Sequence, residues 1–203
     1  MNDLFETLRK IVQGEVSGQR FAELATVDQV FPADPGNYEA TVVLRDSGLV
    51  LKHVPLTTPR KGIACVPDPG DLVLVQFVGG DLNRPIVVGS LYNDQHRPPE
   101  NQEKQLVVHL PIDADASSAL RLELNETGPM SVKLTLGSAL TLTLVDDDPV
   151  VSVDVGGKAS LKIERSGAVT LQTSGDLSLK ADANVTIEAG GELTLKGSVI
   201  NLN

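Results

Sequence analysis

At 203 residues the chain has room for one or two domains, and its single cysteine, Cys65, excludes an intrachain disulfide framework. A formal charge of −10 opposes binding to nucleic-acid phosphates and to anionic membrane surfaces, and no stretch approaches the roughly 18 consecutive apolar residues of a membrane span. Phe5, Phe21, Phe31, Tyr38, Phe77 and Tyr92 are all the aromatic residues, and none follows residue 92, so the two halves are built differently.

Residues 1–16 predict a short amphipathic helix. In DLFETLRKIVQ, residues 3–13, the side chains of Leu4, Phe5, Leu8, Ile11 and Val12 fall on one helical face, with Asp3 at the N-cap and Gly14 at the stop. Such a face packs on its own domain or on a neighbour. The start MNDLFETLRK lacks the profile of a signal peptide, which predicts a chain made in the cytoplasm.

Residues 17–93 read as a β-domain. The runs RFAELATVDQVF, YEATVVLR, LVLKHVPL, DLVLVQF and PIVVGSLY are separated by turn signals such as Asp34-Pro35-Gly36-Asn37 and Asp68-Pro69-Gly70. Five strands in about 75 residues suit a small closed barrel of the OB type. Strand 71–77 is apolar on both faces, Leu72 and Leu74 against Val73, Val75 and Phe77, and therefore central. Cys65 is expected as a buried small hydrophobe. A nucleic-acid-binding barrel needs stacking aromatics beside a basic groove; with only Lys52/His53 and Arg60/Lys61 as basic groups, that use is not expected.

Residues 94–119 are assigned to a neck, which opens on the polar, Pro-containing stretch NDQHRPPENQEKQ. Residues 120–203 then form a β-array. Alternation runs through Leu120, Leu122 and Leu124, through Val132, Leu134 and Leu136, and through Leu140, Leu142 and Leu144. Asp146, Asp147, Asp148 and Pro149 interrupt it as a loop or register-resetting bulge. After them an eight-residue period places the pairs Val153/Val155, Leu161/Ile163, Val169/Leu171, Leu177/Leu179, Val185/Ile187 and Leu193/Leu195. Residues two apart share a strand face.

Two apolar residues in eight cannot stabilise such a unit alone: their burial gives roughly 3–6 kcal/mol, against about 8–16 kcal/mol for ordering eight backbones. A single-chain solenoid with three strands per rung would have only two rungs, below the three or so repeats such folds need. Three identical chains winding about a threefold axis would hide every pair on that axis and close the sheet edges. The pattern therefore predicts a homotrimeric β-prism whose core is these twelve residues. Small residues at Ala159, Gly167, Gly175, Ala183 and Gly191 suit its corners, and Lys162, Thr170, Ser178, Thr186 and Thr194 make its outer face polar. Ile200 and Leu202 follow the last pair after seven residues instead of eight, as the cap of an array would.

The residues with chemistry are dispersed. His53, His96 and His109 lie far apart in sequence, without metal-ligand spacing, and exposure is the expected state of His109. Asp146–Asp148, tripled on an axis, would gather carboxylates for a hard cation, although a solvated loop is the favoured reading. No Gly-x-Ser-x-Gly elbow, P-loop or carboxylate pair in a plausible cleft appears, so neither enzymatic activity nor a cofactor or metal is expected.

Residues 67–93, PDPGDLVLVQFVGGDLNRPIVVGSLYN, strongly resemble the OB-fold segment of contractile-tail spike proteins, the phage baseplate assembly protein V family and the VgrG-like spikes of type VI secretion. Asp68-Pro69-Gly70-Asp71 turns into the buried strand, Gly79-Gly80-Asp81 closes a hairpin, Asn83-Arg84-Pro85 leads into the next strand, and Gly89 permits close approach where the barrel bends. With the neck and the array, the resemblance covers roughly residues 17–203. It implies an all-β homotrimer: an N-terminal OB barrel, then a triple-stranded intertwined β-helix, the needle of a baseplate that punctures a target envelope mechanically on sheath contraction. It also implies a separate hub protein at the OB end, because the large hub domain of VgrG proteins is missing, as is a lysozyme-like insertion. The end Val199-Ile200-Asn201-Leu202-Asn203 lacks the His-x-His of metal-binding spike tips. Ile200, Asn201, Leu202 and Asn203 are instead expected to dock a PAAR-type tip protein. The assembled particle is a virion baseplate or an injection apparatus. The alternative is a trimeric fibre or adhesin that binds a surface receptor.

Overall fold

Alternating β-branched and leucine residues separated by turn-forming stretches make an all-β protein. The computed structural model describes residues 6, 21–31 and 38–201. The expected helix 3–13 lies outside these residues except for Glu6, which is helical and exposed; residues 32–37 and 202–203 also lie outside them. Two compact units divide after Pro98.

The first unit holds β1 (Ala22–Val30), β2 (Glu39–Leu44), β3 (Val50–Pro55), β4 (Leu72–Phe77) and β5 (Pro85–Leu91), all neighbours antiparallel, in the order β3-β2-β1-β4-β5. The sheet curls until Leu56, just past β3, forms a parallel bridge with Val87 of β5. Thr57 reinforces this seam: its amide donates to the Val87 carbonyl at 3.0 Å and its hydroxyl to the Val88 carbonyl at 2.7 Å. Inside lie Ala25, Val27, Ala40, Val42, Leu44, Val54, Val73, Val75, Phe77 and Val87, each at most 3 % exposed. Strand β4 is central, between β1 and β5, as its two apolar faces predict.

Local devices bend this sheet. Opposite Leu74 and Val75 stand Gly89 and Val87, so Val88 is an extra residue and Gly89 sits at the resulting bulge. Gly70 adopts φ 99° in the turn before β4, where its amide donates to the Val27 carbonyl at 2.8 Å.

The second unit is one seven-stranded antiparallel meander. It comprises β6 (Gln105–Leu110), β7 (Leu120–Asn125), β8 (Ser131–Leu136), β9 (Leu140–Val145), β10 (Val151–Val155), β11 (Ala159–Ile163) and β12 (Val169–Thr173), each paired with its sequence neighbour. Strand β6 lies inside the stretch 94–119 expected as neck. The loop 146–150 does not move the apolar set to the other face: Leu144 stands opposite Val151, and Leu142 opposite Val153. Residues 174–201 carry no strand.

Candidate assembly face

In an antiparallel ladder, directly opposed residues point to the same face. From β6 to β12, Val108, Leu122, Leu134, Leu142, Val153, Leu161 and Leu171 stand opposite one another in an unbroken column. Beside it runs a second column, Leu106, Leu124, Val132, Leu144, Val151, Ile163 and Val169. One whole face of the meander is thus aliphatic. The other carries Arg121, Glu123, Lys133, Thr135, Thr143, Ser152 and Lys162.

No described strand or helix of the unit packs over the aliphatic face, whose members are half-buried or exposed. Among its described residues only Ala119 is buried, whereas the barrel has a full core. A sheet with one apolar face requires a second layer, and an exposed apolar surface of this extent marks an interaction site.

The sequence-predicted pairs divide at Thr173. Val153, Val155, Leu161, Ile163, Val169 and Leu171 share the aliphatic face of β10–β12. Leu177, Leu179, Val185, Ile187, Leu193 and Leu195 lie in the strandless stretch and are 54–73 % exposed. At the far end Ile200 and Asn201 are exposed, while Leu202 and Asn203 lie outside the described residues.

Sequence reasoning missed two parts of this surface. Leu106, Val108 and Leu110 of β6 extend the aliphatic face by a strand. Up to β12 the strands also hydrogen-bond within the chain as hairpins, which the eight-residue period leaves undetermined. The signal for hairpins is present at Gly156-Gly157, with φ 55° and 70°, between β10 and β11.

Turns at the sheet ends are held by side chains. Between β6 and β7, one Asp115 carboxylate oxygen accepts from the Ser117 amide at 2.9 Å, the Ser117 hydroxyl at 2.6 Å and the Ser118 hydroxyl at 2.9 Å. These bonds, the Ser117 hydroxyl's first, hold the Asp115 carboxyl below its ordinary value. His109 is half-buried, not exposed as expected: its Nε2 donates to the Ala114 carbonyl at 2.9 Å and anchors the same loop. Asp146 and Asp148 bind an arginine. Arg165 reaches Asp146 with its guanidinium at 2.5 Å, and its amide donates to the Asp148 carboxylate at 2.6 Å. On the polar face Arg121 pairs with Glu123 and donates to the Glu100 carbonyl at 2.9 Å.

Among the described residues no group of three or more His, Cys, Asp or Glu side chains could hold a metal ion. His53 pairs with Glu39 at 2.9 Å and stacks on Phe31. His96 lies 3.9 Å from Asp71. Cys65 corrects its expectation: it is exposed, because it lies on the β3–β4 connection outside the barrel, where its backbone bonds the Tyr38 hydroxyl. A groove of about 340 Å³ between this connection and β5 is lined by Leu56, Thr57, Thr58, Pro59, Cys65 and Val88 among others, with no carboxylate or imidazole. No described helix is long and apolar enough to cross a membrane.

Residues 42–92, from within β2 through the end of β5, match the family model of the Type VI secretion system/phage-baseplate injector OB domain. No curated protein gives a significant match to the chain.

Proposed function

We propose, from the premise that residues 42–92 are an injector OB domain of the baseplate kind, that the chain is the structural central spike of a contractile tail or injection apparatus, acting as a homotrimer. The observation that carries this reading is the aliphatic face of β6–β12, over which no described element of its own unit packs to form a buried core. Three such sheets turned inward about a threefold axis bury that face against its copies, while the polar face stays in water. Each leucine buried in this way contributes roughly 1.5–3 kcal/mol.

Residues 174–201 have apolar pairs but no strand. Those pairs gain hydrogen-bonded neighbours only from other copies, as an intertwined β-helix with Leu177, Leu179, Val185, Ile187, Leu193 and Leu195 on the axis. A closed sheet has no free edges to fray, which suits a rod loaded along its length and driven through a membrane by sheath contraction. The barrel end receives a hub protein; the end at Ile200, Asn201, Leu202 and Asn203 receives a PAAR-type tip protein. The assembled particle, a virion baseplate or injection apparatus, is where the chain acts, and its role is mechanical, not enzymatic.

Light scattering of the purified chain at micromolar concentration is expected to give three times the 21.5 kDa chain mass, and a monomeric mass overturns the spike reading. Leu177→Asp places three unpaired carboxylates on the axis and is expected to abolish the trimer. A Leu177→Asp protein that stays trimeric and equally heat-resistant removes Leu177 from the axis.

A further inference from the structure

The meander stops at an edge that the described residues of its own chain leave open. Strand β12 is the last of the sheet, and Val169 and Leu171 on it are 63 and 55 % exposed. Edge strands of soluble proteins are commonly blunted by charge or proline. The inner strands β7, β8, β10 and β11 carry Arg121, Lys133, Asp154 and Lys162, whereas β12, VTLQT, has neither charge nor proline. The next aliphatic pair, Leu177/Leu179, follows at the same eight-residue step that separates Leu161/Ile163 on β11 from Val169/Leu171. Between β11 and β12 that step makes a hairpin, with Gly167 left-handed, φ 84°, in the connection. After β12 it does not. A two-residue reversal needs a left-handed first residue, and a three-residue one ordinarily ends on a left-handed residue; neither Gly175 nor Asp176 has a positive φ. The Ser174 amide instead donates to the Lys158 carbonyl at 2.8 Å and carries the β11–β12 ladder one residue past Thr173.

We infer that the chain changes from folding back to running on at Ser174-Gly175-Asp176, and that the open edge of β12 is the docking strand for residues 177–179 of a second copy. The inference rests on the homotrimeric spike reading and adds to it the place of the change and the strand that receives the partner. Residues 174–176 alone join β12 to Leu177, whereas parallel pairing within one chain needs a connection of about a dozen residues. The chain's own next pair is thus kept from β12 in the antiparallel sense for want of a reversal and in the parallel sense for want of length. Ala183 occupies the octad position of Gly167 and Gly175, and a side chain there disfavours a left-handed reversal at that turn as well. Copies related by a threefold axis wind in one sense, so the neighbour's strand lies parallel to β12. The eight-residue step then sets Leu177 and Leu179 beside Val169 and Leu171 on the aliphatic face, and Ser178 beside Thr170 on the polar one.

Thr170→Cys with Ser178→Cys, in the full-length chain carrying Cys65→Ser, tests this. The native mass is measured first, and a short bismaleimide is then added and the product run on a denaturing gel. A native trimer is expected to give products of dimer and trimer mass, because position 170 of each copy meets position 178 of the next. A trimer that yields only single-chain products, or none, overturns the inference and leaves the spike reading standing. A monomeric mass, in the unsubstituted chain as in the variant, overturns both. Either cysteine alone is expected to give no product, and one as strong as that of the pair overturns the pairing. Gly175→Ala supplies a readout without cross-linker: its thermal midpoint is expected to stay at the native value, whereas Gly167→Ala, at φ 84°, lowers it. An equal fall in both places a left-handed reversal at Gly175 and overturns the inference.

Discussion

Asp115 holds its loop without burial, through three hydrogen bonds to one oxygen. Because its folded pKa lies below the ordinary 3.8, its contribution is fully present above pH 3.8 and is lost as pH falls through the lowered value. The exchange protection of the Ser117 amide is therefore expected to collapse below about pH 3.8 in the native chain, to be absent at every pH in Asp115→Ala, and to lose that pH dependence in Asp115→Asn. Nearby, a Cβ on Gly137 would stand 2.5 Å from the Ser117 carbonyl oxygen at φ 53°. Gly137→Ala is expected to destabilise the second unit by about 1–2 kcal/mol from the backbone conformation, with the contact to a main-chain oxygen in addition, read as a lowered thermal midpoint. Single residues were the least legible part of the sequence. Cys65 and His109 were both misplaced, because their surroundings come from the β3–β4 connection and the loop before β7, whose course no local pattern encodes. Likewise the aspartates at 146–148 read as acidic loop residues, while their partner Arg165 is seventeen positions beyond Asp148.

At the level of elements, period-two alternation located β7, β8 and β9, and the octad pairs located β10, β11 and β12. Strand β6 escaped because Gln105–Leu110 follows directly on a polar, Pro-rich stretch and was read with it. The six pairs look alike in sequence but differ in the chain: three sit in hairpins closed by intrachain hydrogen bonds, and three sit in residues 174–201, which carry no strand. Under the spike reading that difference disappears on assembly. Amides of residues 177–195 in the assembled protein are expected to exchange as slowly as those of β10–β12, measured by hydrogen exchange with mass spectrometry. Exchange at coil rates in a trimer would show that the later pairs do not form strands.

On the scale of the molecule, the chain combines a barrel that buries its own core with a sheet that does not. Stability therefore has two sources, and they separate by substitution. Val75→Ala, which empties part of the barrel interior, is expected to cost about 2 kcal/mol and to lower one calorimetric transition of the full-length protein while leaving the other unmoved; movement of both would mean that the units unfold together. By itself the sequence determined the all-β class, the central place of β4 and the aliphatic residues of β7–β12, because a period of two is a property of the strand itself. The tertiary structure decided which strands pair within the chain, that β6 joins them, and that the face runs unbroken past the acidic loop. Those facts depend on hydrogen-bond register between strands, and register is a relation between distant segments that periodicity along one segment does not carry.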